Sequence, residues 1–241
     1  GARQWNELIA TARAERLIGA LADRLEGRSV PDEVAAVLSD TRVMAAQERR
    51  AALWEADCAR RALAGYEGKV VLLKGTAYVA AKLDAGRGRS IGDLDLLVAE
   101  KDLEEVEQAL LTAGWEWVKE DAYDDAYYRR WMHELPPLIH RERDRMIDVH
   151  HTILPKTARP TPDAKAMIGS AIALQPDAQA KGVRLAKFSS WHGLHILSPA
   201  DMVCHSIAHL LADGELDGGL RNLWDIDRML REFAGSANFW D

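Results

Sequence analysis

The sequence predicts an α/β fold, a small mixed β-sheet with helical N-terminal and C-terminal parts, and three observations carry that expectation. The run KVVLL, residues 69–73, stays apolar from Val70 onward for the length of a strand, as expected of a central strand covered on both faces. A second strand, DLDLLV at 93–98, leads directly into a well-marked helix, KDLEEVEQALLTAG at 101–114. Ala, Leu, Glu and Arg dominate the start of the chain, and helical patterning returns after the strands. With 241 residues the chain can bury a substantial core, as one compact domain or two small packed units. The expected division is an N-terminal helical region over 1–67, a sheet-bearing core over 68–155 and a mainly helical region over 156–241.

Taken in order, residues 1–64 read as helix with a break at EGRSVPDE, where Ser29 or Pro31 can open a second helix. After KVVLL, a short helix is expected over GTAYVAAKLDA. In the helix after DLDLLV, Asp102 is placed to cap, Glu105 follows three residues on, Leu103, Val106 and Leu110 form one stripe, and Gly114 supplies the stop. WEWV, ELPPLIH and RMIDVHHTI read as further strands, with RERDR as the hairpin turn between the last two. Pro136 and Pro137 place their strand at an edge. From Pro155 the chain returns to helix, apart from extended pieces at GVRLAKF and HGLHIL. Ser198-Pro199 opens one helix and LRNLWDIDRMLREF forms another.

Composition narrows the function classes. The chain is 48% hydrophobic and 29% charged, ordinary for a soluble globular protein. Its two cysteines, Cys58 and Cys204, are far apart in helix-like contexts, so neither a disulfide framework nor a cysteine-type zinc site is supported, and a reducing cytoplasm is expected. No apolar run approaches a membrane span, and the charged, amphipathic first residues are unlike a secretory signal. A net charge of −7 disfavours nucleic acid as a partner, whereas a small nucleotide needs only a local cluster of cations.

The chemistry is concentrated in acids. Positions i and i+2 of a strand share a face at roughly 6.5 Å, so Asp93 and Asp95 present two carboxylates to one side. Their repulsion is relieved by a divalent cation, and hard oxygen ligands suit magnesium. Asp148 sits between Ile147 and Val149, an alternation that turns Asp148 and His150 to the opposite face. A third carboxylate on an adjacent strand would complete a site for two ions about 4 Å apart, an arrangement that drives in-line displacement at phosphorus. The bland alternative for the D-x-D pair is a solvated strand edge or a local turn cap.

Other residues carry two readings each. Arg89, just before the D-x-D, suits a phosphate clamp or a solvated turn with Arg87. His205 and His209 are one helical turn apart and lie away from the Val203, Ile207 and Leu210 stripe, so they face solvent or another layer. Zinc there lacks a placed third ligand even with His150 and His151 nearby, and lining a cleft from the helical side is the better reading. His150 orients Asp148, touches substrate, or is a satisfied strand histidine. Asp225 is expected to pair with Arg221 at i+4, and YDDAYYRRWMHE either stacks a base or acceptor or, as the favoured reading, covers the sheet as a helix or loop without a ligand.

Together LLKG, GRSIGDLDLLV and MIDVHHTIL resemble the DNA polymerase β-like nucleotidyltransferase superfamily, and most closely its bacterial branch of uncharacterised nucleotidyltransferase-like proteins. SPADMVCHSIAHLLADGELDGGLRNLWDIDRML is similar to that branch too, while the N-terminal helices match it more loosely. The resemblance implies a polymerase β-like sheet over 68–155 and a nucleotidyltransferase with two Mg²⁺ ions held by Asp93, Asp95 and Asp148. It implies an NTP donor, ATP first among them, gripped by Lys74, Gly75, Thr76, Arg89 and Ser90, with His150 and His209 in the cleft. Lys74-Gly75-Thr76 stands where the superfamily has Gly-Ser. Asp148 would take the proton of the acceptor hydroxyl, on a small molecule, peptide or protein, and pyrophosphate would leave. The other function classes are a non-catalytic nucleotide-binding or protein-interaction module on the same fold, and a metal-dependent hydrolase built on the histidines.

Overall fold

The computed structural model describes residues 1–174, 193–212, 219–236 and 239–240. Three helices open the chain: α1 (Ala2–Ala14), α2 (Ile18–Arg24) and α3 (Asp32–Ala62). The break before α3 falls at Pro31, as the sequence predicts, and Pro31 itself occupies the N-cap position. A second break, between α1 and α2, carries no sequence signal; there Arg16 adopts a left-handed backbone at φ 53°.

The core elements follow as β1 (Val70–Leu72), α4 (Lys74–Ala80), β2 (Leu94–Leu97), α5 (Leu103–Thr112), β3 (Trp115–Trp117), α6 (Ala122–Trp131), β4 (Leu138–His140) and β5 (Met146–His150). The C-terminal part adds α7 (Ala164–Ser170), β6 (Ile172–Ala173), β7 (Leu194–Ile196), α8 (Pro199–Ala212) and α9 (Leu220–Phe233). The strands form one mixed sheet in the order β3-β4-β5-β2-β1-β7-β6. β2 runs parallel to β5 and β1 parallel to β7, and the remaining neighbours are antiparallel. All of β1 and β2 is buried, which explains their unbroken apolar runs.

Several expectations change. Pro136 and Pro137 precede β4 rather than lying in it, and β4 is interior, paired on both sides by β3 and β5. The prolines mark the entry to that strand, where a missing N–H breaks no ladder bond. Asp102 takes the N-cap position of α5 without capping it; its carboxylate accepts a hydrogen bond from Tyr66 Oη at 3.0 Å. Ile207, counted in the apolar stripe of α8, is 40% exposed, while His205 is buried. HGLHIL contributes β7, and GVRLAKF lies outside the described residues.

The main core joins both faces of the sheet to α3, α5 and α8. Smaller clusters tie the N-terminal helices together through Ile9, Ala22, Val34 and Leu38, and seat α3 on α4 and the loop before β2 through Leu53, Val79 and Ile91. α6 buries none of its residues; it is capped by Asp121 and anchored to α5 where Arg129 donates to the buried Glu107 at 2.9 Å. The apolar area removed from water by these clusters, at roughly 25 cal/mol per Å², is the main stabilising contribution.

Candidate functional site

The site is built by strand register. Pairing of β2 with β5 sets Asp95 opposite Asp148, and period-2 alternation sets Asp93 on the side of Asp95. Carboxylate oxygens of Asp93, Asp95 and Asp148 all lie within 4.8 Å of one another. The three differ in exposure: Asp93 is exposed, Asp148 half-buried, and Asp95 only 3% exposed.

Each carboxylate has its own electrostatic setting. Burial alone would raise Asp95, but His150 Nε2 at 3.1 Å and Lys74 Nζ at 2.7 Å converge on its Oδ1 and hold it well below the carboxylate range. Asp95 is thus ionised and accepts only, so both Lys74 Nζ and His150 Nε2 donate to it. Burial lowers and Asp95 raises the Lys74 ammonium, and the net shift is upward, so this cation stays charged. Among the described residues, Asp148 has no such partner. Burial, Asp95 and Glu134 push its pKa up to about 7.

The remaining predicted residues are placed as follows. Lys74 begins α4 at a left-handed φ of 46°, a strained conformation for a residue with a side chain. Gly75 is buried, and a Cβ there would meet Arg89 Nε at 2.6 Å; the space above it is filled by Arg89. Thr76 is buried and its hydroxyl has no hydrogen-bond partner among the described residues. Ser90 is exposed.

Arg89 does not point outward. Its guanidinium is ion-paired to Asp225 of α9 and lies over the Tyr78 ring at 5.5 Å. Asp225, 2% exposed, also accepts from Arg221, which itself donates to Ala85 O at 2.8 Å. The expected i+4 pair is present, then, and is half of a buried arginine–aspartate–arginine triad that fastens the loop before β2 to α9. The sequence held the Asp225–Arg221 spacing but nothing that joined Arg89 to it across 136 residues.

Lys74, Arg89, His205, His209 and Asp225 line one small cavity between α4, α8 and α9. Burial pushes His205 down to about 3, which keeps its imidazole neutral. The opposite face of α8 lines a larger apolar cleft of about 780 Å³ with α7, and neither this cleft nor its neighbour of about 890 Å³ is lined by the three aspartates. A set absent from the sequence reading is His133, Glu134 and His150, whose ligand atoms also lie within 4.8 Å of one another. Strand pairing beyond β4 brings them together, and no local motif announces them.

Parallel strands set Asp95 beside Asp148, with Asp93 on the same side, as an all-oxygen group that could hold a divalent ion. The family model described as uncharacterised nucleotidyltransferase matches residues 1–241. The chain belongs to that nucleotidyltransferase family. Membership supports nucleotidyl transfer as the general activity and a nucleotide as substrate. No curated protein and no solved structure matches the chain. Among the described residues, no helix is long and apolar enough to cross a membrane.

Proposed function

We propose that this family member is a Mg²⁺-dependent nucleotidyltransferase of the DNA polymerase β-like type. It transfers a nucleoside monophosphate from an NTP, with ATP the first donor to test, to a hydroxyl of a small molecule, peptide or protein. The observation that carries the reading is the Asp95–Asp148 register with Asp93 alongside. A hard-oxygen set in which Asp148 has no cation of its own and rises to about 7 fits a divalent ion, and Asp93, Asp95 and Asp148 would hold two. Magnesium bound there supplies charge neutralisation of the triphosphate and of the attacking and leaving oxygens.

The residues of the chain do the rest. Asp148 accepts the proton of the acceptor hydroxyl as its oxygen bonds to the α-phosphorus, and the bond to the bridging oxygen breaks with its electron pair leaving on pyrophosphate. Lys74 holds Asp95 ionised and adds a cation on the phosphate side, where the exposed Ser90 adds a nucleotide contact and Gly75 leaves the room that Arg89 occupies. Arg89 and Thr76, one paired and one buried, support that surface from behind, and His150 and His209 border the cleft. A bacterial cytoplasm and the division 1–67, 68–155 and 156–241 belong to the same reading.

One observation favours a non-catalytic module on the same fold: Lys74 already neutralises Asp95, so the site can persist without a metal. Calorimetric titration of ATP, CTP, GTP and UTP with and without Mg²⁺ separates the two. Transfer predicts Mg²⁺-dependent binding of a triphosphate that Asp93→Asn loses; binding that ignores both Mg²⁺ and Asp93 supports the module.

A further inference from the structure

We propose that His133, Glu134 and His150 form a second metal site, distinct from the three aspartates, which takes a borderline transition ion of the Zn²⁺ class. The inference stands apart from the nucleotidyl-transfer reading, because it concerns other ligand atoms and needs no nucleotide.

Backbone pairing creates the site. Glu134 forms an antiparallel bridge with His150, Leu135 N donates to Val149 O at 2.9 Å, and His151 N donates to His133 O at 2.9 Å. Residues 133–135 thus add a short extended segment beside the end of β5 and set two side chains against His150. The ring centroids of His133 and His150 are 5.2 Å apart.

The ligand atoms converge on one carboxylate oxygen. Glu134 Oε2 is 3.4 Å from His150 Nδ1 and 3.6 Å from His133 Nε2. Both separations exceed the roughly 2.7–3.2 Å of a good hydrogen bond. They are close to the edge of roughly 3.3 Å of a tetrahedron whose metal bonds are about 2.0–2.1 Å.

His150 is 1% exposed, and its Nδ1 has no hydrogen-bond partner among the described residues. Nε2 is committed to Asp95, so Nδ1 is the nitrogen that faces Glu134. A carboxylate oxygen and a ring nitrogen this close, with no hydrogen bond between them, are polar atoms that a shared cation would satisfy. Asp95 against the far nitrogen of His150 is also the carboxylate–imidazole arrangement that orients metal-ligating histidines.

Charge and donor type agree. Asp93, Asp95 and Glu134 all act on the Lys74 ammonium, which is bonded to Asp95. Two imidazoles and one carboxylate suit zinc-like ions, whereas three carboxylates suit magnesium, so the two sites select differently. Three protein ligands would leave a fourth position open, and His133 and Glu134 are only half-buried.

The test is titration of the metal-free full chain with Co²⁺, a visible-absorbing stand-in for Zn²⁺, in excess Mg²⁺. The expected result is uptake of one ion with a nitrogen-ligated absorption band. Glu134→Gln and His133→Ala should weaken it by at least about tenfold, and Asp93→Asn should leave it unchanged. Should the variants fold poorly, histidine ¹⁵N spectra of the wild type with Zn²⁺ read the same contact as a shift of His150 Nδ1. The proposal is overturned by no uptake, by equal uptake in Glu134→Gln, by no shift at His150, or by loss in Asp93→Asn, which would put the ion among the aspartates.

Discussion

Asp95 is the residue on which the site turns. It is buried and ionised because Lys74 and His150 share its Oδ1, and Lys74 holds its own backbone at a left-handed φ to do so. Replacing Lys74 with Met leaves a buried carboxylate with His150 as its remaining partner, so unfolding free energy in urea should fall by about 3 kcal/mol or more. Asp93 is the opposite case. It is exposed, so Asp93→Asn should move stability by no more than about 0.5 kcal/mol. If the three aspartates hold Mg²⁺ as proposed, the ion should raise the melting temperature of the wild type, because ligands that bind the native state stabilise it by mass action, and the same substitution should abolish that rise. All three acids were legible from strand alternation, since a carboxylate that shares a face with another raises a question of charge before any fold is known. What Lys74 does was not, because its partner lies 21 residues away.

Elements convert those residues into a site. The loop between α4 and β2 is held by backbone contact and by charge. Gly88 sits at φ 62°, where a Cβ would meet Gly19 O of α2 at 2.2 Å, and Arg89 is clamped by Asp225 of α9. Two predictions belong here. Gly75→Ala pushes a methyl against Arg89 Nε and Ile91, and should cost about 1–3 kcal/mol by denaturation, with local disorder at Arg89 in NMR spectra. Asp225→Ala strands two buried guanidinium groups and should cost about 3–5 kcal/mol, more than the i+4 surface pair its spacing suggests. The sequence reading saw the shorter of these links because i,i+4 is visible in one dimension. The Arg89 link and the interior position of β4 are consequences of packing.

Across the whole molecule, the helical parts are braces for the sheet. α3 reaches from the N-terminal cluster at Val34 and Leu38 to Leu53 beside Ile91, so the N-terminal helices, which the family match includes, help position the loop carrying Asp93. From the other side, α8 brings neutral His205 against the site. This gives a pH signature. The unfolded chain protonates His205 near 6.5 while the native state resists to about 3, so acid favours unfolding, by up to about 1.4 kcal/mol per pH unit. Asp148 acts in the opposite sense, since its native pKa of about 7 lets the folded state take up a proton first. The readout is therefore a difference: in EDTA, His205→Gln should lose less stability than the wild type between pH 7 and about pH 4.5.

By itself the sequence determined the strand and helix types, the three acids and the class of chemistry they suit. Those follow from local periodicity and like-charge spacing, which need no knowledge of what packs where. Only the tertiary structure decided that Lys74 and Arg89 are spoken for, that His205 is buried, and that His133, Glu134 and His150 face one another. Each of those depends on segments far apart in the chain meeting in a low-dielectric interior, where a partner, and not a propensity, sets what a charged or polar group does.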